Sequence, residues 1–154
     1  MQFMRFLSID SSKLQPWREH CRRVAGQSVA SAPTALSGRD PDRSVVVWNL
    51  VSGNNRVLAR SASIFSSADA AKSSAESVAG NNGTLRIRMT TDKIRGVYGW
   101  FGTIDGAAVI TCARWYSTER DRRQSIDLAV ISLPVALIQP GARLVHPELV
   151  GGTR

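Results

Sequence analysis

The chain has 154 residues, 43% hydrophobic and 21% charged, with 20 basic against 12 acidic side chains and a net charge of +8. That length suits one globular domain whose core needs no covalent staple. No apolar leader with a small-residue cleavage site opens the chain, and the most apolar window, residues 128–138, is too short for a membrane span and carries Ser132 and Pro134. The two cysteines, Cys21 and Cys112, stand far apart outside any CxxC pair, which fits a reducing compartment. The expectation is a soluble, cytoplasmic protein with no membrane partner.

The positive charge invites a nucleic-acid reading, because clustered cations release counterions from a phosphate backbone. Yet 17 of the 20 cations are arginine, a bias that GC-rich coding also produces. The charge is spread as well, +3 over residues 1–44, +4 over 45–96 and +1 over 97–154. A binding footprint is concentrated on one face or helix, so a generic basic surface is the simpler reading.

Residues 1–9 fit a short strand. Leu14, Trp17, Cys21 and Val24 fall at i, i+3, i+7 and i+10, the spacing of one helix face. From residue 27 to 44 the chain turns to Ser, Ala, Pro, Gly, Asp and Arg without periodicity, which predicts a flexible linker. On that reading residues 1–44 form an N-terminal extension, its helix either a docking appendage or poorly ordered.

Residues 45–148 then hold two copies of one unit, at about 45–92 and 97–146. In the first, the apolar run at 45–51 meets a turn at Ser52-Gly53-Asn54-Asn55, returns through residues 56–61 to Phe65-Ser66-Ser67, and enters a helix over 68–79 with Gly80 placed as its C′ residue. In the second, residues 97–104 turn at Asp105-Gly106, return through 108–113 to Tyr116-Ser117-Thr118, and enter a helix from Glu119 to about Ile131. Ser66 or Ser67 caps the first helix, and Thr118 with Asp121 resembles a capping box. Ala68, Ala71, Ala75 and Val78 make a small-residue stripe on the first helix, and Ile126, Ala129 and Val130 a bulkier one on the second. Both helices are therefore expected on one face of a shared sheet.

After the first helix, Asn82-Gly83 turns into residues 84–89, whose alternation reads as a half-buried strand with Arg86 and Arg88 facing water. Residues 133–138 and 142–146 are the expected source of the equivalent strand of the second copy, with Pro134 and Pro140 confining it to an edge. Residues 149–154, including Gly151-Gly152, read as a flexible tail.

The order Val57-Leu58 after an Asn-rich turn, then Ser61, Phe65-Ser66-Ser67 and Glu76-Ser77-Val78 resembles the repeat of the YegP-like proteins. The second copy matches through Asp105-Gly106, Val109-Ile110, Tyr116-Ser117 and Ile126. The likeness spans residues 46–146. The first copy carries one residue more before Phe65, and Ser125 stands where the family usually has Gly. The resemblance implies an α+β fold, tandem strand-strand-helix-strand repeats forming one antiparallel sheet with two helices on one face and the C-terminal strands exchanged between copies. It implies no activity and carries over no catalytic residue.

Adjacent His20 and Cys21 diverge by about 100° on a helix and make no nucleophile-base pair. Cys112 on a strand reads as a small buried hydrophobe. Glu119, Asp121 and Asp127 read as caps and surface pairs among Arg120, Arg122 and Arg123. No metal-ligand cluster or nucleotide-binding loop is recognisable, so no enzyme, metal or cofactor is expected. Two binding readings remain. Open sheet edges suit a protein partner or self-association. An exposed sheet face bearing Trp48, Trp100 and Trp115 with Arg56, Arg60, Arg86, Arg88 and Arg114, next to Arg120, Arg122 and Arg123, suits single-stranded nucleic acid or RNA. The commoner use of such aromatics is to fill the core.

Overall fold

The computed structural model describes residues 1–26, 44–81 and 83–145. The expected linker after residue 26, His146 and the C-terminal tail lie outside them. The chain folds as α+β, one seven-stranded sheet with three helices. The strands are β1 (Gln2–Phe6), β2 (Val45–Val51), β3 (Val57–Ser61), β4 (Arg86–Asp92), β5 (Val97–Ile104), β6 (Ala107–Cys112) and β7 (Arg143–Val145), and the helices are α1 (Gln15–Ala25), α2 (Ala68–Gly80) and α3 (Glu119–Ser132).

The sheet order is β4-β5-β6-β3-β2-β1-β7. β3 and β6 meet antiparallel at the centre, with β2 outside β3 and β5 outside β6. β4 pairs antiparallel with β5, in the other half from the hairpin that precedes it. On the opposite flank the place beside β2 is taken by β1, antiparallel with Phe3 facing Trp48. β7 is displaced one strand outward and runs parallel to β1. The sheet is therefore mixed, not the all-antiparallel sheet expected. Residues 1–26 belong to the domain rather than extending from it, because β1 supplies the backbone partners that β2 needs.

β2 alternates between two cores. Val46, Trp48 and Leu50 join Phe3 and the small-residue stripe of α2, Ala71, Ala75 and Val78. Val45 and Val47 face the other way, against Leu14, Trp17 and Cys21 of α1. A strand buried on both faces reads as one continuous apolar run. α2 and α3 cover one face of the sheet, as their stripes predict, and α1 covers the other.

The local signals act as chemistry requires. Asp105 and Gly106 both take positive φ, 53° and 81°, in the tight β5–β6 turn. Ser67 and Thr118 cap their helices by accepting the N–H groups of Ala70 and Asp121, each at 3.0 Å. Gly80 is the last helical residue instead of the C′ residue, and Asn81 closes the helix with its backbone and side-chain N–H groups on the Ser77 carbonyl. The buried face of α3 is Arg122, Ser125 and Ala129, whereas Val130 is exposed. The expected stripe of Ile126, Ala129 and Val130 is thus displaced, because two of the three residues that α3 buries are polar.

Candidate binding cleft

Three segments distant in sequence meet beside α3. Arg56 and Val57 come from the start of β3, Arg114 to Ser117 from the loop after β6, and Asp121, Gln124, Ser125 and Leu128 from the helix itself. They bound an open cleft of about 490 Å³, within the usual range for ligand sites. At its floor the buried Trp100 indole Nε1 donates to Ser125 Oγ at 2.9 Å, and Ser125 Oγ donates to Tyr116 Oη at 2.8 Å. The Arg114 guanidinium lies 5.8 Å from the centre of the Tyr116 ring. Asp121 lines this cleft and makes no return bond to the Thr118 amide among the described residues, so the capping box is half formed.

The eleven residues expected on one binding surface are dispersed. Trp48 and Trp100 are both 0% exposed, so neither can stack a base, and with helices on both sides the centre of the sheet has no open face. Arg122 is buried too. Its Nη1 donates to the Thr90 carbonyl at 3.1 Å, its Nη2 pairs with Glu119 at 3.3 Å, and its guanidinium lies 5.2 Å from the Tyr98 ring centre. Arg60 lies over the Trp17 ring at 5.1 Å, under α1. Trp115 is half-buried against Gly99, where an added Cβ would come within 3.0 Å of its ring, and Arg23 and His20 close its other sides. Arg86 and Arg88 are exposed on edge strand β4, and Arg120 and Arg123 on α3. Of the eleven, Arg56, Arg114 and Trp115 line the cleft.

The structure also makes a pairing that sequence spacing conceals. His20 reaches across from α1 to β6, its Nε2 2.8 Å from the Cys112 carbonyl oxygen and 3.9 Å from Cys112 Sγ. This is a structural tie. The shorter contact commits the Nε2–H to the carbonyl, so that nitrogen cannot accept the thiol proton. Burial pushes the Cys112 and Cys21 thiols up to about 11 and holds His20 below its ordinary value, so thiols and ring are all neutral near pH 7. On the same side of the sheet, Trp17 Nε1, Asn49 Oδ1 and Thr111 Oγ1 are buried without a hydrogen-bond partner.

No protein-family model and no curated protein matches the chain. The structure is similar to the solution NMR structure of yegP from E. coli, a protein of unknown function. The identity is 14% and the TM-score 0.43, over 69% of this chain and 84% of that one. It is the namesake of the family that the sequence resembles. No helix among the described residues is long and apolar enough to cross a membrane.

Proposed function

We propose that this chain is a non-catalytic cytoplasmic binding module that holds a segment of another protein along α3, a second copy of itself being the simplest such partner. The observation that carries this reading is a row of apolar side chains leading out of the cleft. Leu128 and Ile131 on α3, and Val135 in the 3₁₀ turn Leu133–Val135 that follows it, are 40%, 69% and 74% exposed. Surface hydrophobes scattered singly are ordinary, whereas an aligned row beside a concave site is how a protein segment is received. Self-association by adding β4 edge to edge is disfavoured, since Arg86 and Arg88 would repel their own copies.

The neutral His20–Cys112 contact supports a role without catalysis. Single-stranded nucleic acid is the weaker reading, because stacking needs aromatics at the surface and Trp17, Trp48 and Trp100 are buried. A tandem duplication is supported by contacts that recur 51 or 52 residues apart. Val46 and Phe65 exchange backbone hydrogen bonds as Tyr98 and Tyr116 do, and Trp48 binds Ser74 as Trp100 binds Ser125.

Selection of a displayed random-peptide library on the immobilised protein tests the proposal, with light scattering as a parallel arm. Enriched peptides, or a dimer, that Ile131→Asp releases are expected. A chain that stays monomeric at the highest attainable concentration and enriches no peptide sensitive to Ile131→Asp would overturn it.

A further inference from the structure

The Trp100 indole N–H can only donate, to Ser125 Oγ, and Ser125 Oγ in turn donates to Tyr116 Oη. The Tyr116 proton is left to donate into the cleft. Arg56 and Arg114 add two cations, neither with a carboxylate partner among the described residues, while Asp121 is the one anion in the lining. Val57, Leu58, Val97 and Leu128 add apolar surface beside the polar Ser117, Gln124 and Ser125.

The matching position of the first half lacks this equipment. The Trp48 indole donates to Ser74 at 3.2 Å, but Phe65 stands where the second half has Tyr116, and Ser63 where it has Arg114. Tyr116 and Arg114 are thus particular to the second half and not something that packing of the tryptophan requires.

The geometry points to a carboxylate site: the cleft takes a carboxylate group attached to an apolar body, either an acidic side chain of a bound protein segment or a free organic acid. One net positive charge matches a monoanion, and the planar forks of arginine fit a carboxylate in bidentate fashion. A phosphate dianion would carry a second charge toward Asp121. This inference rests on the reading of the α3 side as the binding surface, and names the chemistry recognised there.

The test is an NMR titration of the nitrogen-labelled full chain, read at the two indole N–H resonances of Trp100 and Trp48. Phenylbutyrate and the capped peptide acetyl-Leu-Glu-Leu-amide are the probes, with phenylbutanol and the Gln peptide as neutral counterparts. At least one acid is expected to shift Trp100 while leaving Trp48 in place, and its neutral counterpart to shift neither. The tighter of the two acids identifies the source of the carboxylate. Tyr116→Phe, which copies the residue at Phe65, and Arg114→Gln should each weaken binding about tenfold, the loss of one charge-assisted hydrogen bond. The inference falls if neither acid moves Trp100, if the neutral counterparts move it equally, or if inorganic phosphate binds more tightly than either acid. Library peptides that bind while both acids fail would sink the carboxylate and leave the α3 surface standing.

Discussion

The indoles of Trp48 and Trp100 hold matching places on either side of the β3–β6 seam. Each is fully buried, each Nε1 donates to a serine on the helix that follows, and each backbone N–H is received one strand inward, by Ser61 Oγ at 3.2 Å and Cys112 Sγ at 3.4 Å. Each helix is thereby tied to the sheet by a polar contact within an apolar layer. Ser74→Ala and Ser125→Ala each leave a buried donor without a partner, which costs about 1–3 kcal/mol. Urea denaturation should show both losses with unchanged slope. If neither variant lowered the midpoint, the serines would not be the anchors of their helices.

The parts legible in sequence are those set by local chemistry. The Asp105-Gly106 turn, the Ser67 and Thr118 caps, the Ala71-Ala75-Val78 stripe and the face of α1 all follow from neighbours within a few residues. The partner of β2 was not legible, because its pairing with β1 reaches back across α1 and across residues 27–44, whose sequence has no periodic signal. The buried face of α3 was hidden for a different reason: a hydrophobic stripe cannot announce Arg122 and Ser125. The cleft combines both difficulties, since its two cations lie 58 positions apart in the chain and nothing in their local sequence separates them from the other arginines.

Arg122 differs physically from its neighbours. It ties α3 to β4 through the Thr90 carbonyl and packs over Tyr98, whereas Arg120 and Arg123 point into solvent. Arg122→Ala should cost about 2–3 kcal/mol by leaving a cavity and an unpaired carbonyl. Arg122→Lys should recover only part of this, because an ammonium cannot stack as a planar guanidinium does. Arg120→Ala and Arg123→Ala should each stay within about 0.5 kcal/mol. Thermal melts of the four variants decide it, and equal losses at all three positions would refute the distinction.

His20 makes stability depend on pH. Burial first, and then the Arg60 and Arg23 charges, hold its folded value below the ordinary 6.5, against the opposing hydrogen bond to Cys112. Cys21, Cys112 and Trp115 complete its surroundings, and none of them titrates below neutrality. Above pH 6.5 the ring is neutral folded and unfolded, so its full contribution is present. As pH falls below 6.5 the unfolded chain takes up the proton first and stability declines until the lowered folded value is passed. Asp92, whose carboxyl is held below 3.8 chiefly by the Arg95 amide, acts only at lower pH. His20→Gln should keep a donor to Cys112 and flatten the profile just below pH 6.5. An unchanged slope in the variant would remove His20 as the cause.

The domain boundary can be tested by truncation. β1 pairs with both β2 and β7, and α1 buries Leu14, Trp17, Cys21 and Val24. Burying each large apolar side chain contributes about 1.5–3 kcal/mol. Losing Phe3, Phe6, Leu14, Trp17 and Val24 together therefore rivals the whole stability of a domain, about 5–15 kcal/mol. Removal would also bare Val45 and Val47 and leave β2 as an open, apolar edge prone to aggregation. A chain beginning after residue 26 should lose its cooperative melt and its dispersed amide spectrum. Adding a synthetic peptide of residues 1–26 should restore part of both, since β1 and α1 are consecutive and self-contained. A truncated chain that melted cooperatively at the same temperature would return these residues to the status of a dispensable extension.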